Sequence, residues 1–211
     1  MDNFITVDKS SKGEYRDRGS KFLAFLFPVS TENDFRSHLN KLRNEHKKAN
    51  HHCYAFKLSR HNLHRYTDDG EPSGSAGRPI MGVIEKQQLN NVLIVVVRYF
   101  GGVKLGVRGL IDAYSGAAQE AVKGATLKKE WIYRHLEVTL EYSALGFIER
   151  FIEQNKLTVI EASYEAQVKK TLGIVPSNFA RVKDKLEGEL KQEFGSRIET
   201  PYPVKIKPKA S

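Results

Sequence analysis

Cysteine is nearly absent from this chain, which contains only Cys53 among its 211 residues. A single cysteine excludes an internal disulfide and any zinc site that is built from several cysteines. Because Cys53 lies in a segment of alternating apolar residues, we expect a buried structural thiol rather than a reactive one.

Long hydrophobic runs are also missing. The longest apolar run, VLIVVV at residues 92–97, is far too short to span a bilayer. No early apolar stretch resembles a signal peptide. The sequence therefore predicts a soluble protein in the cytoplasm, with no contact to membranes.

Acidic residues are fewer than basic ones, and the excess of basic residues is unevenly distributed along the chain. The formal net charge is +9. Residues 1–130 carry 21 Lys and Arg against 14 Asp and Glu, whereas residues 131–211 carry 13 against 11. A basic first half favours contact with nucleic acid or with an acidic surface, although solubility alone also explains a charge of this size.

The first half alternates strand and helix patterns. Residues 92–97 are apolar on both faces and mainly β-branched, which predicts a buried strand. Thr31 is suited to cap a helix over residues 31–48. Further expected elements are strands at 22–29 and 53–58, a short helix near 79–86, and a helix whose apolar face is Leu110, Tyr114, Ala117, Ala121 and Ala125.

The second half has a different order. The patterns predict a strand at 136–142, a helix that Ser143 caps, strands at 157–162 and 166–175, a helix that begins at Pro176, and a short strand at Ile198. That order is β-α-β-β-α-β, the ferredoxin-like unit. We therefore expect an α+β protein of two domains, residues 1–130 and 131–211.

A glycine-rich stretch, RYFGGVKLGVRG at residues 98–109, follows the buried strand. Loops of this kind bring backbone N–H groups to a ligand at a helix N-terminus, and phosphate is the ligand that nearby cations favour. The predicted phosphate contacts are Arg98, Gly101, Gly102, Lys104, Gly106 and Arg108, with Arg65 and Arg78 from the earlier loop. Neither nucleotide fingerprint, Gly-Lys-Ser/Thr or G-x-G-x-x-G, is present, so a tight turn with a close helix contact is an equal explanation of the glycines.

Two aromatic residues, Tyr99 and Phe100, lie between these cations. An exposed ring in this place could stack on a nucleic-acid base, whereas a buried ring is ordinary core. Because side chains alternate along a strand, at most one of the two is expected to be available.

The first glycine-rich stretch, RYTDDGEPSGSAGRP at residues 65–79, is expected to be a loop and contains three acids, Asp68, Asp69 and Glu71. Their oxygens could hold Mg²⁺, but the spacing is not that of an EF-hand loop. We prefer the alternative that the acids pair with Arg65, Arg78 or Arg98 and hold the loop in shape.

A cysteine hydrolase is the catalytic alternative in this region. His51 and His52 precede Cys53, and Asp68 or Asp69 could complete a Cys–His–Asp group. Alternation places only His51 on the face of Cys53, and no nucleophile signature surrounds the cysteine, so we expect no catalytic residue here.

Three segments together resemble the IMPACT (YigZ-type) family: HCYA at residues 52–55, DDGEPSG at 68–74 with AGRP at 76–79, and VRYFGG at 97–102 with KLG at 104–106. The resemblance covers residues 13–124. It implies a first domain of the ribosomal protein S5 domain 2-like fold, shared with the fourth domain of elongation factor G, and a second domain like the fifth domain of that factor.

The resemblance also implies a role in translation. Eukaryotic members of the family are linked to translational control through a ribosome-associated activator of a stress kinase, and nucleic-acid or ribosome binding is the usual proposal for bacterial members. The family brings no established catalytic residue. In the family pattern Gly often stands at the position of Arg108 and Arg at that of Asp112, so the positive surface of this chain is expected to be relocated rather than lost.

The predicted function is therefore that of a non-catalytic RNA- or ribosome-binding protein that regulates translation, without cofactor or metal. One alternative is a metal- or phosphate-dependent hydrolase or phosphotransferase that uses the glycine-rich loops. The other is an adaptor whose nearly neutral second domain docks a protein partner on an exposed sheet face.

Overall fold

The computed structural model describes residues 2–59, 63–194 and 204–209. Two compact units divide after Glu130. Asp2 and Asn3 belong to the second unit. The reason is local pairing, because the Ile132 N–H donates to the Asp2 carbonyl at 2.8 Å and the Ser177 N–H donates to the Asp2 carboxylate at 3.0 Å.

The first unit is a five-stranded antiparallel sheet with helices on both faces. Its strands follow the order β2-β3-β6-β4-β5, and β1 pairs with β7 in a separate two-stranded sheet. In chain order the elements are β1 (Asn3–Val7), β2 (Ser11–Asp17), β3 (Ser20–Pro28), α1 (Glu32–Glu45), β4 (His51–Leu58), β5 (Leu63–Thr67), α2 (Gly77–Lys86), β6 (Val92–Tyr99), α3 (Gly106–Lys123) and β7 (Leu127–Trp131).

The apolar run at residues 92–97 forms the central strand β6, and every one of its side chains is fully buried. Alternate residues face opposite layers: Leu93, Val95 and Val97 pack in the cluster of α1, whereas Ile94 and Val96 pack in the cluster of α2 and α3. Burial on both faces explains why the run shows no polar alternation. This strand ends at Tyr99, so the second glycine-rich loop begins at the end of the central strand.

Helix α1 begins as the sequence predicts. Thr31 is its N-cap, and the Thr31 hydroxyl accepts from the Asp34 N–H while the Asp34 carboxylate accepts from the Thr31 N–H. This reciprocal capping box satisfies two of the backbone groups that a helix start leaves without partners. The helix ends at Glu45, three residues before the predicted end.

The second unit has the predicted β-α-β-β-α-β order and the sheet order β11-β8-β10-β9, with antiparallel neighbours throughout. Its apolar core joins one sheet face to both helices. The elements are β8 (Arg134–Leu140), α4 (Leu145–Gln154), β9 (Thr158–Tyr164), β10 (Val168–Ile174), α5 (Phe179–Phe194) and β11 (Val204–Lys209). The protein is therefore α+β, with an S5 domain 2-like unit followed by a ferredoxin-like unit.

The short strand predicted at Ile198 lies outside the described residues. In the described part of the chain the last strand is β11, formed by the lysine-rich segment VKIKPK. This strand lies at the edge of the sheet, where the missing N–H of Pro208 is tolerated. In the described part of the chain, no helix has both the length and the apolar character that crossing a membrane requires.

Candidate nucleic-acid interface

Asp68 organises the first glycine-rich loop from within. One oxygen of its carboxylate accepts the N–H groups of Ala76 and Gly77 at 3.0 and 2.8 Å, and the other accepts the N–H of Gly74 at 2.8 Å. The carboxylate therefore lies at the N-terminus of α2, where negative charge is favoured. The sequence suggested that Asp68 pairs with Arg65, Arg78 or Arg98, but among the described residues its carboxylate accepts backbone N–H groups and forms no ion pair with any of the three.

Replacing Asp68 with alanine is expected to lower the free energy of unfolding of the first unit by about 2 kcal/mol, because a helix cap and three charge-assisted hydrogen bonds are lost together. The matched control is Asp112→Ala, which removes an exposed carboxylate from the surface of α3. Denaturant unfolding of both variants checks the prediction. Equal stability of the two variants would contradict it.

Asp69 connects the same loop to its neighbours. Its carboxylate accepts the His52 N–H at 2.7 Å and lies 3.3 Å from the Arg43 guanidinium of α1, and its carbonyl accepts from His51 Nδ1 at 2.8 Å. Asp69 thus pairs with an arginine other than the three that the sequence proposed. The loop is fixed by these contacts to both β4 and α1.

Glu71 and Arg98 form a buried ion pair. The Arg98 guanidinium donates to the Glu71 carboxylate at 2.6 Å, and the same oxygen accepts from the Tyr114 hydroxyl at 2.8 Å. The exposed fractions of the Glu71 and Arg98 side chains are 4% and 7%. The prediction that Arg98 contacts phosphate is corrected here, because its charge is neutralised inside the molecule.

Each acid of this loop has at least one carboxylate oxygen bound within the protein, and the described residues contain no group of three or more His, Cys, Asp or Glu side chains that could hold a metal ion. Cys53 is fully buried, and its thiol donates to the Asp68 carbonyl at 2.9 Å. Burial raises the pKa of the Cys53 thiol well above its usual range. A thiol held in this state is a poor nucleophile, which argues against the Cys–His–Asp hydrolase.

The second glycine-rich loop begins with a close backbone approach. A Cβ atom on Gly101 would lie 1.9 Å from the carbonyl carbon of Gly19 in the β2–β3 turn, and the Gly101 N–H donates to the Ser20 hydroxyl at 3.1 Å. Gly101 is therefore a packing glycine. Gly102 and Gly106 have positive φ angles of 87° and 72° and are exposed, so they shape the loop at the surface.

Helix α3 starts at Gly106 without a side-chain cap. Leu105 stands at the N-cap, its side chain has no group that accepts a hydrogen bond, and the first turn contains no acid. Lys104 and Arg108 flank this helix end, both are exposed, and neither has an ion-pair partner within the described ranges. The N–H groups of a first helical turn, the positive end of the helix dipole and two cations thus coincide at one place.

The remaining predicted cations are not part of this group. Arg65, on the edge strand β5, lies 3.6 Å from Glu32 of α1. Arg78, in the first turn of α2, is exposed and has no ion pair among the described residues. Arg65 and Arg78 therefore lie on β5 and α2, whereas Lys104 and Arg108 are the two predicted cations at the start of α3.

One of the two aromatic residues is available, as strand alternation predicts. The Tyr99 hydroxyl is hydrogen-bonded to His46 Nδ1 at 2.9 Å, and its ring meets the His46 ring edge-on. Phe100 is 46% exposed, and the Arg98 guanidinium carbon lies 5.5 Å from its ring centroid. Phe100 therefore covers the buried ion pair and presents its ring to solvent.

Sequence reasoning missed an apolar line beside the two cations. Val103, Val107 and Ile111 are exposed and follow each other at intervals of four residues through the loop and the first turns of α3. The signal was present in the sequence, since this spacing places side chains on one face of a helix. It was overlooked because the buried face of the same helix has the stronger pattern.

Comparison with known proteins identifies the family. Residues 18–122 match the model of the Impact N-terminal domain, and residues 138–187 match a domain of unknown function, DUF1949. The IMPACT family member YvyE of Bacillus subtilis is 32% identical over 169 residues, which cover 80% of this chain and 78% of that protein. The chain belongs to the IMPACT family.

Other proteins are similar over part or all of the chain. Protein IMPACT of Oryctolagus cuniculus is 36% identical over 95 residues, which make up 43% of this chain and 30% of that protein. A solved structure described as that of an hypothetical protein covers 100% of the chain and 98% of its own length, with 24% identity and a TM-score of 0.68. This likeness indicates that the two proteins share one fold over the whole length of this IMPACT family member.

Proposed function

We propose that this IMPACT family member is a non-catalytic RNA- or ribosome-binding protein that regulates translation in the cytoplasm. The observation that carries the proposal is the start of α3, where Lys104 and Arg108 flank a helix N-terminus whose N-cap residue, Leu105, has no hydrogen-bond acceptor on its side chain. Translation is the process proposed because the resemblance to the family implies translational control for its eukaryotic members.

The contrast with α2 supports an external anion at α3. Both helices begin after a glycine-rich loop, but at α2 the carboxylate of Asp68 accepts the N–H groups of the helix start. At α3 the corresponding N–H groups accompany two cations and no acid. Phosphate oxygens satisfy such groups directly, and a polynucleotide supplies several phosphates in a row.

Charge favours the same surface. The excess of Lys and Arg over Asp and Glu is seven in residues 1–130 and two in residues 131–211. A basic domain attracts a polyanion before contact is made, and the attraction weakens as salt is added. The first unit therefore supplies the RNA contact in this proposal, and α3 supplies its centre.

Changing Lys104 and Arg108 to alanine together is expected to weaken RNA binding by about tenfold or more at low salt and to reduce the slope of log affinity against log salt concentration by about 1 to 2. Fluorescence anisotropy with labelled RNA, repeated at several salt concentrations, measures both quantities. The physical reason is that each lost cation no longer displaces a counterion from the RNA.

The control is the Lys47→Ala and Lys48→Ala double variant. These two lysines are exposed near the end of α1, and their replacement changes the net charge by the same amount. The control is expected to lose much less affinity than the α3 variant. Equal losses would indicate general attraction without a site, and unchanged affinity in the α3 variant would remove Lys104 and Arg108 from the interface.

A further inference from the structure

Phe100 is an exposed aromatic ring that is held in one place. Its backbone N–H donates to the Asn50 side-chain oxygen at 2.9 Å, and the neighbouring Asn50 N–H donates to the Arg98 carbonyl, also at 2.9 Å. The Arg98 guanidinium lies over the ring at 5.5 Å from its centroid. An aromatic side chain with 46% of its surface exposed is therefore fixed by its backbone and by a cation.

The cation in contact with Phe100 is not available to phosphate. The Arg98 guanidinium is neutralised by Glu71 and also contacts the Phe22 ring at 5.4 Å. Its position over Phe100 supports the ring, because cations are attracted to aromatic faces. The part of the ring that solvent reaches is thus backed by protein and lies four residues before Lys104 in the same loop.

We infer that Phe100 stacks on an unpaired base of single-stranded RNA whose phosphates lie at Lys104, Arg108 and the N-terminus of α3, an inference that rests on the proposed function and names its ligand. Aromatic rings stack on bases of any type, whereas a duplex keeps its bases inside the helix. A ring beside a phosphate site therefore selects unpaired nucleotides over paired ones.

The exposed ring of Phe100 decides between RNA and an acidic protein segment as the occupant, because both carry negative charge. Val103 and Val107 are exposed close by in sequence and could contact protein, but aliphatic side chains form no stack and do not explain the fixed ring. The start of α3 and the two cations favour a flexible anion of high charge density. The exposed ring of Phe100 favours an anion that also carries aromatic bases. Single-stranded RNA has both features.

The test compares single-stranded and duplex RNA on three proteins. Labelled 12-nucleotide single strands and a 12-base-pair duplex are titrated with the wild-type chain, Phe100→Leu and Phe100→Tyr. Phe100→Leu is expected to weaken single-strand binding about tenfold, through loss of one stacked base, and to leave duplex affinity and the salt slope unchanged. Phe100→Tyr retains the ring and is expected to bind like wild type.

The matched control is Tyr66→Leu, which removes an aromatic ring of 49% exposure from β5 and is expected to change neither affinity. A second measurement needs no variant. Single strands that contain 4-thiouridine are crosslinked to the wild-type protein and digested with trypsin, which releases residues 99–104 as one peptide. The crosslink is expected on this peptide, at Phe100.

Each negative result has a different meaning. If the wild-type protein binds neither single-stranded nor duplex RNA, both the proposed function and the inference are contradicted. If RNA binds but Phe100→Leu affects single strand and duplex equally, or if the crosslink maps elsewhere, only the inference is overturned. If polyglutamate displaces the single strand at equal concentration of charge, the site takes an acidic protein segment and the inference is likewise overturned.

Discussion

Replacing Glu71 with alanine is expected to lower the free energy of unfolding of the first unit by about 3–5 kcal/mol. The substitution leaves the Arg98 guanidinium buried without its counter-charge and leaves the Tyr114 hydroxyl without its acceptor. Hydrogen exchange of the β6 amides measures the loss in this unit, because those protons exchange only when the sheet opens.

Two further variants test the cause. Glu120→Ala breaks an ion pair of the same 2.6 Å length between exposed side chains and is expected to cost less than about 1 kcal/mol. Replacing Glu71 and Arg98 together with leucine removes both buried charges and is expected to recover at least half of the loss. A cost for Glu71→Ala no larger than that for Glu120→Ala would contradict the assignment of a buried pair.

Gly101→Ala is expected to cost about 3 kcal/mol, at the upper end of the usual range for overpacking. The new methyl group would lie 1.9 Å from the Gly19 carbonyl carbon and 2.2 Å from the Ser20 nitrogen. Both are backbone atoms, so no flexible side chain can move aside. Thermal or denaturant unfolding measures the loss, and RNA binding is expected to weaken as well because the loop that contains Phe100 and Lys104 must shift.

The control for this variant is Gly82→Ala in α2. A Cβ atom at Gly82 meets nothing within 4 Å, and alanine is the better helix former. This change is expected to raise the free energy of unfolding by about 0.5–1 kcal/mol. Opposite signs for the two glycine substitutions would support close approach as the role of Gly101, whereas a stabilising Gly101→Ala would refute it.

Much of the fold follows from periodicity in the sequence. The run at residues 92–97 has no polar position, so it fits only the centre of a sheet that is covered on both faces, and Thr31 with Asp34 marks the start of α1. The strand β2, with the sequence SKGEYRD, was not predicted because it is an edge strand without alternating apolar residues. Pairing with β3 determines its conformation, and pairing depends on the rest of the fold.

The site was predictable only in part. Lys104 and Arg108 lie at a strand–loop–helix junction that the sequence reveals, and the structure leaves both exposed. Pairing of a loop acid with Arg98 was among the sequence predictions, and Glu71 confirms it. The burial of this pair was not predictable, because Glu71 lies 27 residues before Arg98 and no local pattern reports their approach. The same holds for Asp68, whose partners are backbone N–H groups rather than the arginines that charge alone suggested.

The starts of α2 and α3 differ in the source of their counter-charge. Because Asp68 is part of the chain, the counter-charge of α2 is present whenever the protein is folded, and it responds to neither salt nor ligand concentration. In the proposed function, the start of α3 takes its counter-charge from RNA phosphate instead. Salt and RNA concentration would then regulate occupancy at α3, while the loop that Asp68 holds stays unchanged.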